Sequence, residues 1–224
     1  MPVLSQAEGP ADIAIIDYGM GNLLSVSKAF EHVAPLADII VTSDPTVIAE
    51  ATRVVFPGVG AMPDCMRELS ARGLVDAVKQ AAANKPFLGI CLGMQALFEH
   101  SEEGDCAGLG LLPGNVRLFP AEAMHDAAGN KLKVPHIGWN QVHQGMAHPM
   151  WMGIEDAARF YFVHSYYAEP ADPAVVAGFT HYPFAFTCAV ARDNVFAVQF
   201  HPEKSQAAGL ALLANFIIWE GNQR

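Results

Sequence analysis

The sequence predicts an α/β fold in which a doubly wound, mostly parallel sheet is extended by antiparallel or mixed strands. Two observations carry the prediction. Up to about residue 110, short β-branched runs alternate with segments whose apolar residues fall at helical spacing, and beyond it strand-like runs follow one another with only turn residues between them. Helical spacing returns only near the C-terminus, at residues 206–219.

The first run, residues 12–17 (DIAIID), has the length and branching of a buried strand, and Gly19 and Gly21 end it. Leu23, Leu24, Ser27, Phe30 and Val33 then fit one helix. Strands are expected at residues 38–41, 54–56 and 87–90, with a helix over 74–83. This alternation implies right-handed crossovers between parallel strands. In the second half, residues 116–119, 139–143, 160–167, 174–179, 185–191 and 195–200 are expected as strands.

A chain of 224 residues fits one domain, here residues 12–224, and residues 1–11 are expected to form a polar, flexible lead-in. Hydrophobic residues make up 52% and charged residues 16%, enough apolar material for a sizeable core. A net charge of -10 with 13 Lys and Arg argues against a nucleic-acid binder, so small molecules or proteins are the expected partners. The N-terminus has neither the basic nor the apolar segment of a signal peptide, and no run approaches a membrane span. Cys65, Cys91, Cys106 and Cys188 show no paired spacing, consistent with reduced thiols in the cytoplasm.

One of these cysteines stands apart. Gly89-Ile90-Cys91-Leu92-Gly93 follows an apolar strand and precedes the helix-compatible residues 94–98, the layout of a nucleophile elbow with cysteine in place of serine. A helix N-terminus beside the sulfur would favour the thiolate. A buried structural role is the default for an arbitrary cysteine and is kept for Cys65, Cys106 and Cys188. A second signal is Val198-Gln199-Phe200-His201-Pro202-Glu203, where a strand ends in a histidine with a carboxylate two residues on. In extended chain the two side chains share one side, so Glu203 could orient His201. Alone such a pair is usually a surface feature; beside a cysteine nucleophile it supplies a base and its orienter. A third is Phe56-Pro57-Gly58-Val59-Gly60, a glycine turn that could bring backbone N–H groups to an oxyanion, although an ordinary strand-to-loop turn has the same spacing.

Pro57-Gly58-Val59-Gly60, Gly89-Ile90-Cys91-Leu92-Gly93-Met94-Gln95 and Gln199-Phe200-His201-Pro202-Glu203-Lys204 together resemble the class I, triad-type glutamine amidotransferases. Residues 16–22 (IDYGMGN), 135–140 (PHIGWN) and 162–167 (FVHSYY) are similar, more narrowly, to the glutaminase subunits of imidazole glycerol phosphate synthases. The resemblance implies a Cys91, His201 and Glu203 triad that hydrolyses glutamine to glutamate and ammonia. It implies oxyanion donors at Leu92 and in the Val59 and Gly60 region, and a glutamine pocket lined by Gly58, Gln95, Ser165 and Tyr166. It further implies that ammonia passes to a cyclase subunit, HisF, with a (β/α)₈ barrel, where a phosphoribulosyl formimino intermediate becomes imidazole glycerol phosphate and an aminoimidazole carboxamide ribotide. Trp139, Asn140 and Lys204 are placed on the docking surface by resemblance alone, since a tryptophan is more often core.

Other functions are weaker. Gly19-Met20-Gly21 with Asp38 has part of a dinucleotide-binding pattern, but Leu24 stands where the third glycine belongs. His143, His148, His164 and His181 show no metal-ligand spacing, so neither metal nor cofactor is expected; His164 draws interest as the neighbour of Ser165 and Tyr166. An idle regulatory module would be expected to have lost a triad member. Among amidotransferases, the alternative is a glutaminase subunit of another synthase, such as anthranilate synthase.

Overall fold

The computed structural model describes residues 11–125 and 129–221. Four strands, β1 (Ile13–Ile16), β2 (Ile39–Thr42), β3 (Arg53–Gly58) and β4 (Phe87–Cys91), pair in parallel in the order β2-β1-β3-β4. Between them run α1 (Leu23–Val33), α2 (Pro45–Glu50), α3 (Met62–Ala71) and α4 (Val75–Asn84). The short α5 (Leu92–Gln95) then leads into β5 (Phe98–Ser101) and β6 (Cys106–Ala107).

The second half supplies β7 (Leu112–Leu118), β8 (His136–Gln144), β9 (Ala158–His164), β10 (Tyr166–Pro170), β11 (Val176–His181), β12 (Ala185–Arg192) and β13 (Val195–Val198), closed by α6 (Gln206–Ile218). Strand β13 inserts beside β4, parallel to it and antiparallel to β12, and the sheet continues through β10, β7, β5 and β6. Strands β11, β8 and β9 branch from β12. The expected parallel sheet with a mixed extension is therefore the observed one.

Side chains alternate across each central strand, so the sheet has an apolar layer on both faces. Ala14, Ile16, Val54 and Phe56 join Ile48, Cys65, Leu69 and Val78 of α2, α3 and α4 in one core. Ile13, Ile15, Val55 and Ile90 face the other way, onto Val26 and Phe30 of α1 and Leu212 and Phe216 of α6. Phe30 and Phe216 lie 6.0 Å apart, and burial of each ring contributes about 1.5–3 kcal/mol. Ion pairs are mostly at the surface and add little.

Several expectations need correction. Residues 1–10 of the expected lead-in lie outside the described residues, but Ala11 is part of the fold: it is buried, and its carbonyl accepts from the Thr52 N–H at 2.9 Å. Helices α2 and α3 were not anticipated; each opens with proline in its first turn, and Asp44 caps α2 by accepting from Thr46 N at 2.8 Å. The helical pattern over 94–98 is cut short, because Phe98 starts β5 and pairs in parallel with β7. The strand expected over 160–167 is two strands, broken at Ser165.

Candidate active site

The C-terminal ends of β3, β4 and β13 lie side by side, in register Gly58↔Cys91 and Val198↔Ile90, and each leads directly into one of the three sequence signals. Ends of parallel strands are where α/β sheets present ligand-binding loops, because the crossovers leave a crevice there.

Cys91 has φ 56° and ψ -111°, a conformation that non-glycine residues adopt at a cost of about 1–3 kcal/mol. The strained turn is held from below. A Cβ at Gly93 would stand 1.9 Å from the Phe56 carbonyl oxygen, so only glycine lets the residue after the turn lie against β3. The helix that follows has four residues, little more than one turn, so it places only a weak macrodipole beside the sulfur. The sulfur works instead through its neighbours.

His201 supplies the main one. Its Nδ1 lies 2.8 Å from Glu203 Oε1, with both side chains almost fully buried. The chain here is a short 3-10 turn, Pro202–Lys204, and not the extended backbone expected; the turn brings the carboxylate round to the ring. Ser205 locks it, its Oγ donating to the His201 carbonyl at 2.6 Å and accepting from Tyr161 N at 2.9 Å. His201 Nε2 is buried and closes no ordinary hydrogen bond among the described residues, yet it lies near enough to Cys91 for the sulfur to govern its charge. Burial works to lower the His201 pKa, but the hydrogen bonds and negative charges of Cys91 and Glu203 outweigh it and push the value up to about 10. The ring is therefore an imidazolium at neutral pH, a proton donor set beside a nucleophile.

A cavity of about 280 Å³ opens over this pair, lined by Val59, Gly60, Cys91, Leu92, Gln95, Ser165, Tyr166 and His201. Leu92 begins α5, so its N–H has no intrahelical acceptor and is available to an oxyanion. Gly58 is not on the wall. It sits beneath the elbow, where a Cβ would come within 2.5 Å of Tyr18 Oη and 2.9 Å of Leu92 Cβ, so its part is to let β3 approach the turn. Gln95 Nε2 donates to the Tyr166 carbonyl at 3.0 Å and to Gln199 Oε1 at 2.9 Å, and Gln199 Nε2 reaches to 3.7 Å from Cys91 Sγ.

Gln199 and Glu103 were not singled out from the sequence. Gln199 sits inside the histidine motif without a distinguishing neighbour, and Glu103, in an acidic turn, reaches the cavity wall through folding alone. Pro135, Val163 and His164 complete the wall. Among the described residues no three His, Cys, Asp or Glu side chains converge as a metal site, and no helix is long and apolar enough to cross a membrane.

Beside the site lies an exposed aromatic patch. Trp139 is 42% exposed, not core, with Tyr161 edge-on at 6.2 Å and Lys204 Nζ 5.9 Å from the Tyr161 ring. Ile137, two residues before Trp139 on the same outward face of β8, is also exposed. Asn140 points the other way, its Nδ2 donating to the His181 carbonyl at 2.9 Å.

Comparison with known proteins gives the following. Residues 14–219 match the family "Glutamine amidotransferase class-I". The chain is 72% identical to the imidazole glycerol phosphate synthase subunit HisH of Thiobacillus denitrificans, over 93% of this chain and 91% of that one. It is 66% identical to the HisH subunit of Nitrosospira multiformis, over 93% and 98%. Its fold matches a solved glutamine amidotransferase with a TM-score of 0.67 at 15% identity, over 91% and 98% of the two chains.

Proposed function

The chain belongs to the class-I glutamine amidotransferase family, and from that premise we propose that it is the glutaminase subunit of an imidazole glycerol phosphate synthase, feeding ammonia to a cyclase subunit in histidine biosynthesis. The observation that carries the chemistry is the strained Cys91 elbow beside an imidazolium whose far nitrogen is held by a buried carboxylate.

In the reaction so inferred, Cys91 Sγ attacks the side-chain carboxamide carbon of glutamine. The tetrahedral oxyanion is received by the Leu92 N–H and, once the cyclase has docked, by the backbone of Val59 and Gly60. His201 gives its Nε2 proton to the departing nitrogen, and ammonia leaves a thioester on Cys91. The now neutral ring takes a proton from water, whose oxygen displaces the sulfur and releases glutamate. Glu203 holds the ring and balances its charge in the protonated steps.

Substrate recognition needs a partner for the α-ammonium group. Glu103 is the sole acid among the described residues lining the cavity, and one of its oxygens is already held by Met62 N at 2.8 Å. The pairing is partly exposed, so its value is modest. Glu103→Gln is expected to raise KM for glutamine about fivefold, the equivalent of about 1 kcal/mol, with kcat within about twofold of wild type; steady-state glutaminase assays read both constants.

The partner assignment draws on Trp139, Tyr161 and Lys204, an amphipathic patch continuous with the histidine turn. A cyclase docked there would cover the site and receive ammonia before water protonates it. Reduced cysteines, four of them free, suit the cytoplasmic setting we infer. Glutamate formation should rise at least tenfold when the cyclase and its nucleotide ligand are added together, as expected if docking aligns the second oxyanion donor. An equally fast rate without the cyclase would count against the coupling, and a rise with a different synthase would reassign the partner.

A further inference from the structure

Beyond the triad, the described residues hold a buried pair of histidines that takes no part in the chemical steps. His164 Nδ1 lies 2.7 Å from the Tyr166 carbonyl oxygen, and its Nε2 lies 2.9 Å from His136 Nδ1. His136 Nε2 is 3.3 Å from Asn140 Nδ2. Both rings are buried, 3% and 6% exposed, within an aromatic cage: His136 stacks on Tyr182 at 4.1 Å, and His164 sits 5.3 Å from Phe119 and 5.4 Å from Phe186.

The two ends of this chain fix every proton in it. A carbonyl only accepts, so His164 Nδ1 carries hydrogen; in a neutral ring its Nε2 must then accept, and His136 Nδ1 must donate. His136 Nε2 is left as an acceptor, and it meets an amide nitrogen that only donates. The Asn140 amide cannot be turned round, because its Nδ2 also donates to His181 O at 2.9 Å while its Oδ1 accepts from Gln141 N at 2.8 Å. Burial keeps both rings neutral, lowering His136 to about 4 and His164 to about 3.

The Tyr166 carbonyl is the node where this chain meets the pocket, since it also accepts from Gln95, which in turn bonds Gln199 beside Cys91. We propose that His136 and His164 form a directional hydrogen-bond relay of positioning residues, running from Asn140 on β8 to the Tyr166 carbonyl, that sets the orientation of Gln95 at the glutamine pocket. The inference rests on the placement of Gln95 and Tyr166 at that pocket. It explains why strand β8 shows Ile137 and Trp139 outward and the histidine inward: one strand carries the exposed patch and anchors the pocket wall. A purely structural pair would fill the cage equally well as two phenylalanines.

Two measurements decide it. In long-range ¹H–¹⁵N spectra of the full chain, both rings should be neutral Nδ1–H tautomers from pH 6 to 8; an Nε2–H tautomer or a protonated ring for either residue would overturn the relay. In steady-state kinetics of the complex with the cyclase, His164→Phe should raise KM for glutamine about tenfold with kcat changed less than about threefold. His164→Asn, whose amide nitrogen stands near the place of Nδ1, should recover most of that loss. Wild-type KM in His164→Phe, or an Asn variant no better than Phe, would overturn the proposal. If His164→Phe does not fold, the Asn variant and the tautomers carry the test. Absence of glutaminase activity in the wild-type complex would defeat the functional assignment instead, and the spectra would still decide the relay.

Discussion

Cys91→Ser should abolish glutamate release, with a fall on the order of 10⁴-fold or more in kcat, while the fold and the binding of the cyclase are retained. The serine hydroxyl is isosteric enough to keep the elbow, whose φ of 56° is imposed by the packing of β3 and β4 rather than by sulfur. Its oxygen is a far poorer nucleophile, however, and one of the two partners that raise the His201 pKa is removed while Glu203 remains. The variant thus loses its nucleophile and part of the support for its proton donor together. Glutaminase rates with and without cyclase, alongside circular dichroism and a cyclase pull-down, check this; activity near wild type in the serine variant would defeat the triad.

The second large effect concerns stability. Gly93→Ala would place a methyl group 1.9 Å from the Phe56 carbonyl oxygen, a backbone atom that cannot swing aside. Relief requires β3 and the elbow to move apart, in a sheet centre where Phe56, Ile90 and Leu92 are all buried. Overpacking of this kind costs about 3 kcal/mol. A chain of this size should then lose roughly 6–12 °C in Tm, read by thermal or urea denaturation. An alanine variant melting within a degree or two of wild type would mean that the elbow is not braced by Gly93.

What the sequence disclosed follows from the physics of each element. The buried parallel strands were legible because residues 12–17, 54–56 and 87–90 are short apolar runs between turn residues, and they became β1, β3 and β4. Cys91 was legible because an elbow needs small neighbours at fixed offsets. Helix α3 was passed over although Met62, Cys65 and Leu69 stand at i, i+3 and i+7, because that narrow stripe is interleaved with Pro, Asp, Arg and Glu and its packing partners lie elsewhere in the chain. The break at Ser165 was hidden in a continuous strand-like run, and it separates His164 from Tyr166 so that one can bond the carbonyl of the other. The pairing of His201 with Glu203 was anticipated for a reason that did not hold, because a 3-10 turn and Ser205 make it rather than extended backbone. Glu103 and Gln199 had no local signature at all; they matter only through what the tertiary fold brings within reach.

The position of β13 bears on how the molecule is made. Strand β4 ends at residue 91, yet its second edge is covered only by residues 195–198. During synthesis about a hundred residues must emerge before that edge is paired, so until then the N-terminal half presents the unpaired backbone of an apolar strand to other chains. Such an intermediate invites intermolecular pairing and gives chaperones a defined segment to shield. The same delay keeps the nucleophile away from its histidine until the last strand docks, so a chain released early carries Cys91 without the partner that would make it a catalyst.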